Sequence, residues 1–252
     1  MALTSFQLKI IGVILMVLDH IHEMFPYVEG LTWMNMLGRM VMPIFLYLCA
    51  ESFHYTRDRK KYALRLYMAG VLMAVASLYI GTIWPFPDAL NINLMNNVFM
   101  TMFLSVVVMQ GITFISNKSF LRGIMLLGLP MLPIAILPAV LGLGNLLITR
   151  SVIFLLPSYV SVEGGFGAIL LATLFYIFRG KKKWQMLVLV AMAFLSTGLK
   201  IDTTMLLENY QWMMVFAIIP LLMYNGKKGK GWKYFFYIFY PAHIYILYFL
   251  SY

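Results

Sequence analysis

The stretch from Ile10 to Phe25 reads IIGVILMVLDHIHEMF. An unbroken apolar run reaches Leu18, and then Asp19, His20, His22 and Glu23 arrive before the pattern ends. Its length and hydropathy, with Lys9 at the edge, predict a membrane-spanning helix. An Asp at the centre of such a helix costs about 2.5–3.5 kcal/mol on insertion scales. Asp19 and His20 therefore belong in the interior of a helix bundle, not against lipid. The rest of the 252 residues suits that setting: 62% are hydrophobic, 16% aromatic and 11% charged. Soluble domains carry about 25% charged residues, and the mean hydropathy here is +0.86. No small-residue cleavage site follows the first apolar run, so it is read as a retained span and not a signal peptide. One cysteine, Cys49, excludes an intrachain disulfide.

Hydropathy then predicts an all-α, polytopic membrane bundle over residues 1–252, read as one domain. The spans fall at about Ile10–Phe25, Trp33–Phe53, Tyr62–Trp84, Asn97–Ile115, Leu121–Leu141, Phe166–Phe178, Trp184–Leu199, Tyr210–Tyr224 and Tyr234–Tyr252. A shorter piece, Leu146–Leu156, closed by Pro157, suits a re-entrant or interfacial helix. Cytoplasmic loops are enriched in Lys and Arg. With nine spans every basic residue except Arg39, Arg150 and Lys200 falls on one side, and Glu29, Asp88, Glu163, Asp202 and Glu208 fall on the other. A ten-span count would put the last two basic clusters outside. The expectation is thus nine spans, with the N-terminus cytoplasmic and the C-terminus extracytoplasmic. The net charge of +10 follows from that topology and from attraction to anionic headgroups, and needs no nucleic acid.

Helical rise sets the depth of each intramembrane polar group. His20 lies eleven residues beyond Lys9, about 16 Å deep, and His243 lies ten beyond Lys233, about 15 Å deep. Arg39 enters from the other side, about 9 Å below Trp33. Pro43 and Pro241 stand close to Arg39 and His243, where each can open the helix around a cavity. Asp19, His22 and Glu23 share a helix face, while His20 is turned about 100° from Asp19. A direct Asp19–His20 couple is therefore disfavoured: if Asp19 orients a histidine directly, His22 is the easier partner, and His20 must find a group on another helix. Arg39 reads either as a stabiliser of developing negative charge or as the structural partner of Asp19. Glu51, His54, Asn97 and Tyr240 are further candidates for cavity lining, although Glu51 reads equally as a partner of Arg57 or Arg65, and His54 as a surface residue. The chain contains no Walker motif, no GxSxG and no Cys/His metal spacing. A zinc site from Asp19, His20 and His22 is geometrically poor, so no metal is expected.

Several stretches, in order, resemble the TraX family. They are Leu8–Lys9 followed by MVLDHI (16–21), Gly38-Arg39 with Pro43-Ile44-Phe45, and AESFHYTR (50–57) continuing through Lys60-Lys61-Tyr62 to Arg65-Leu66. Asn97-Val98-Phe99 with Thr101, GAILLATLFYIFR (167–179), NGKKG (225–229) and KYFFYIFYPAHIYILY (233–248) complete the set. The chain departs from the family pattern at Ser52, where a glycine is usual, and at Glu163-Gly164-Gly165, where an Asp-Tyr-Gly is usual. The family's name-giving member acetylates the N-terminus of F-type pilin, and the family is similar to the wider class of transmembrane acyltransferases.

The resemblance implies an acyltransferase, an acetyltransferase by preference, using cytosolic acetyl-CoA and an acceptor that is an exported peptide, a glycan or a lipid. Acyl transfer needs a base and a group to stabilise an oxyanion. His20 is the first choice for the base, Asp19 an orienting group, Arg39 the anion stabiliser, and His243 an alternative base or second hydrogen-bond donor. Arg57, Lys61 and Arg65, with Lys227 and Lys228, are candidates for the CoA phosphates, and read equally as topology signals. The expected location is the bacterial cytoplasmic membrane, with lipid as the surrounding partner. Competing classes are a proton-coupled transporter and a non-enzymatic component of conjugation or secretion. The acceptor, the acyl group and the oligomeric state are not determined by the sequence.

Overall fold

The structure is a computed structural model describing residues 2–86, 92, 94–199, 203 and 208–252, and of Lys233 the backbone only. Asp88, Lys200 and Asp202, assigned to loops by charge, lie outside the described residues. The helices are α1 (Ser5–Met24), α2 (Thr32–Gly38), α3 (Val41–Tyr55), α4 (Arg59–Ile83), α5 (Val98–Ser116), α6 (Phe120–Gly128) and α7 (Leu132–Gly142). They continue with α8 (Leu146–Leu155), α9 (Gly165–Ile177), α10 (Lys182–Leu195), α11 (Ile218–Leu222) and α12 (Lys233–Ser251). Tighter 3₁₀ turns join α6 to α7 at Leu129–Met131 and precede α11 at Tyr210–Ala217. Among the described residues there is no strand, only a single bridge between Leu3 and Tyr224. The all-helical reading holds.

Six of the nine expected spans are long apolar helices. Among the described residues six stretches are long and apolar enough to cross a membrane: Ser5–Met24, Thr32–Tyr55, Arg59–Ile83, Val98–Ser116, Phe120–Gly142 and Tyr234–Ser251. The three remaining stretches give shorter helices. With thirteen residues in α9 and fourteen in α10, each is about 20 Å long, against a hydrocarbon core of about 30 Å. Residues 210–222 begin as 3₁₀ helix. Hydropathy placed these three elements to within a few residues, and the apolar runs themselves are short. The piece expected to be re-entrant or interfacial is α8, ten residues long.

By packing, the chain falls into two compact units, residues 1–48, 86–92 and 178–252 in the first, and 49–85 and 93–177 in the second. The boundary falls within α3. In the first unit α1 packs on α2 and α12, and the 3₁₀ segment packs on α2, α10 and α11. Thr4 caps α1, accepting from the Gln7 N–H at 3.3 Å, while the Gln7 side chain returns to the Thr4 N–H at 2.9 Å. This capping box satisfies two of the donors a helix start leaves open. The next donors are taken by the 224–229 loop: Ser5 N–H donates to the Lys227 carbonyl at 2.8 Å, and Phe6 N–H to that of Lys228 at 3.1 Å. The loop turns at Gly226 and Gly229, both with positive φ, and a side chain at Gly229 would collide with Thr4. Lys182 Nζ donates to the carbonyls of Leu222 and Tyr224 at 2.7 and 3.0 Å, where the end of α11 concentrates negative partial charge.

In the second unit α5 is the central helix, packed against α4, α6 and α9. Its Met100, Leu104 and Val108 form a buried cluster with Val162 and Ile169. Gly111 and Gly123 bring α5 and α6 close enough that a methyl on Gly123 would press on the Gly111 carbonyl at 2.8 Å, the small-residue packing common between membrane helices. Asn97 caps α5 and donates Nδ2 to the Gly70 carbonyl at 2.9 Å. Asp58 caps α4, and the Lys61 N–H it accepts holds its carboxyl below the usual carboxylate range.

Candidate functional site

In α1, Asp19 and His20 are consecutive and therefore project about 100° apart, so they meet different elements. Asp19 faces the α2–α3 junction. Pro43, the third residue of α3, has no N–H for the Arg39 carbonyl and clashes with the turn before it, so the helix breaks at Arg39–Met40. Arg39 stands on that break. Its Nη2 donates to Asp19 Oδ1 at 2.7 Å, Nε to the Asn35 carbonyl at 3.2 Å and Nη1 to Gln211 Oε1 at 3.4 Å. Three of the five guanidinium N–H donors thus fix the group in one orientation. The ion pair is partly wet, with side-chain exposures of 28% for Arg39 and 20% for Asp19. Of the two partners read for Asp19, Arg39 is the one that bonds it, and His22 Nδ1 lies 3.4 Å from Asn35 Nδ2.

Gly38 makes this approach possible. A Cβ built on it would overlap the Asp19 carboxylate, so the ion pair requires glycine there. Gly38→Ala is expected to lower stability by about 1–3 kcal/mol through overpacking, read as a lower melting temperature in detergent. Gly81→Ala, whose methyl meets nothing within 4 Å, is the control and should melt no earlier than the parent. Unchanged melting of Gly38→Ala would refute the tight fit.

His20 turns to α12. Its Nδ1 lies 2.7 Å from His243 Nε2, and the two rings are nearly coplanar, 28° apart, as an in-plane N–H···N bond needs. Both rings are buried, 4% and 7% exposed. The equal depths obtained by counting residues from Lys9 and Lys233 thus meet in space. His243 Nδ1 bonds the Phe239 carbonyl one turn earlier at 2.9 Å, and the Phe239 ring lies parallel to it, 10° off, at 5.1 Å. Tyr240 is buried beside both histidines, its ring centroid 6.3 Å from that of His20 and 5.8 Å from that of His243. Glu23 Oε2 lies 3.8 Å from His20 Nε2. Among the described residues no group of three His, Cys, Asp or Glu side chains is arranged to hold a metal ion.

The first unit therefore brings together Asp19, His20, Arg39, His243 and Tyr240. Lys227 and Lys228 belong to the same unit, exposed on the loop that seats the start of α1. Glu51, His54, Arg57, Lys61, Arg65 and Asn97 belong to the second unit. There Arg57, Lys61, Arg65 and His54 are exposed, Glu51 is half-buried and Asn97 is buried. Lys61 pairs with Asp58 at 3.5 Å. Arg59, not singled out from the sequence, lies 4.3 Å over the Phe53 ring and donates to Gln110 at 3.3 Å.

Sequence reasoning also missed Asn35, Gln211, Phe239 and Gly38 around the site. Asn35 and Phe239 each precede a candidate by four residues, a spacing that could have flagged them. Gln211 carried no such signal, because its approach to Arg39 is purely tertiary.

A family model described as TraX protein matches residues 5–251. The chain belongs to the TraX family. A curated relative of this TraX family protein is the "Probable fimbrial assembly protein FimC, serogroup H1" of Dichelobacter nodosus, 33% identical over 73 residues. That match covers 27% of this chain, and the chain spans 29% of the relative's length. No solved structure matches. The match to the TraX family runs through both units and includes Asp19, His20, Arg39 and His243.

Proposed function

We propose that this TraX family protein is a membrane-embedded acyltransferase that moves an acyl group, acetyl by preference, from cytosolic acyl-CoA to an amine or hydroxyl acceptor at or across the membrane. The observation that carries this reading is a buried histidine pair whose His20 follows, along α1, the Asp19 that holds an arginine bonded on three sides. The pair supplies a base for the attacking group. Arg39 keeps donors for the thioester oxygen as it becomes an oxyanion. Asp19 holds the guanidinium and is not the base.

The membrane is the bacterial cytoplasmic membrane, and the three shorter helices complete nine crossings with the N-terminus cytoplasmic and the C-terminus extracytoplasmic. The basic segments at Arg57, Lys61 and Arg65, and at Lys227 and Lys228, then face the cytosol, where each is proposed to hold CoA phosphates. Among exported peptides, glycans and lipids, the fimbrial name of the relative favours the amine of an exported protein subunit as acceptor.

The test uses purified protein in liposomes with labelled acetyl-CoA, and mass spectrometry of cell envelopes with and without the protein. Release of CoA thiol together with an acetyl adduct present only in producing cells is the expected result. No CoA release with any envelope fraction as acceptor would overturn the assignment.

A further inference from the structure

The geometry points to a directed hydrogen-bond chain, Phe239 carbonyl to His243 to His20, that makes Nε2 of His20 the basic nitrogen and His243 a positioning residue. The inference rests on the acyltransferase reading for its chemistry, but not for its geometry. A carbonyl oxygen accepts and never donates, so the 2.9 Å contact to Phe239 places a proton on His243 Nδ1. In the neutral ring the other nitrogen, Nε2, must then accept. Its partner at 2.7 Å is His20 Nδ1, which therefore carries the proton of that bond. His20, in its own neutral form, is left with a lone pair on Nε2. Glu23 Oε2 lies 3.8 Å from that nitrogen, longer than a hydrogen bond.

The logic is that of a histidine whose tautomer is set by the bond its other nitrogen makes. Here a second imidazole, itself locked by a backbone carbonyl, does the setting. The arrangement also limits the pair to one added proton. A second would place N–H against N–H across 2.7 Å, so the two rings titrate as a unit. The groups facing that unit are Glu23 from α1, Arg39 from the α2–α3 junction and Tyr240 from α12.

In the transfer step the acceptor's N–H or O–H proton moves to His20 Nε2 as the acceptor forms its bond to the acyl carbon. The thioester C–S bond breaks, and CoA leaves as a thiolate. The imidazolium then returns the proton to that sulfur. The charge held meanwhile is shared with His243, whose Nδ1–H points at the Phe239 carbonyl.

Two measurements test this. The first is ¹⁵N NMR of histidine-labelled protein in the H22N/H54N background, so that only His20 and His243 report. The expected spectrum at neutral pH shows both rings protonated at Nδ1 and bare at Nε2. A bare Nδ1 on His20 overturns the chain whether or not the protein transfers acyl groups. The second compares H243Q with H243A. The glutamine oxygen can reach the place of Nε2 and accept from His20, whereas alanine cannot. H243A should lower kcat by about 10–100-fold, the usual effect of losing such an orienting partner, with KM for acetyl-CoA unchanged, and H243Q should recover most of it. Equal loss in both variants would make His243 a reacting group and overturn the positioning role. Absence of transfer in the parent would sink the acyltransferase reading alone, leaving the NMR result to decide the tautomers.

Discussion

Replacing His20 by alanine or by asparagine is expected to lower acyl transfer by about 10²–10⁴-fold, the range for losing a positioned general base. The two variants should differ in stability. Alanine leaves the Nε2 acceptor of His243 buried without its 2.7 Å partner, which costs about 1–3 kcal/mol. Asparagine places an amide N–H near the position of Nδ1 and can keep that bond, but it has nothing at Nε2 to take a proton. His20→Asn should therefore melt close to the parent and be as inactive as His20→Ala. Thermal unfolding in detergent and initial rates of CoA release, measured on the same preparations, read both effects. Parental rates from His20→Asn would remove His20 as the base.

The second large effect is expected at Arg39. Breaking a fully buried ion pair costs about 3–5 kcal/mol, because one charge is left uncompensated. Here the side chains are 28% and 20% exposed, so water screens part of that, and about half the penalty is expected for Arg39→Ala. Transfer should fall by a further 10²–10³-fold, roughly the effect of removing an oxyanion donor. The Asp19→Ala, Arg39→Ala double variant separates the two roles. If Arg39 only neutralises Asp19, the double variant regains both stability and transfer. If Arg39 also meets the reacting oxygen, stability returns and transfer does not. Arg39→Lys sharpens the comparison, since it keeps the charge but not the fork that reaches Asn35 and Gln211 together. It should melt near the parent and transfer poorly.

Much of the site was legible in the order of residues. The polar pair in an apolar helix demanded interior partners, and residue counting put His20 and His243 at one depth. Their 100° separation on α1 barred a couple between Asp19 and His20, and the two side chains do go to different partners. Pro43 announced the break that carries Arg39. Of the two partners the sequence offered Asp19, Arg39 at the α2–α3 junction is the one that meets it, while His22 lies beside Asn35. Six of the nine expected spans are long apolar helices among the described residues, and the other three are helices too short to span by length alone.

What the sequence by itself determined is the class of molecule: an all-helical membrane protein of the TraX family, with buried charge that has to be answered within the bundle. Composition and period suffice for that, because the cost of polar groups in lipid depends on depth and not on neighbours. Which groups answer each other was decided only by tertiary structure. Contacts between helices depend on how each is rotated about its axis, and residue order sets the rotation of a helix only relative to itself. The close approach at Gly38, the reach of Gln211 to Arg39, and the proton order along Phe239, His243 and His20 all come from that packing.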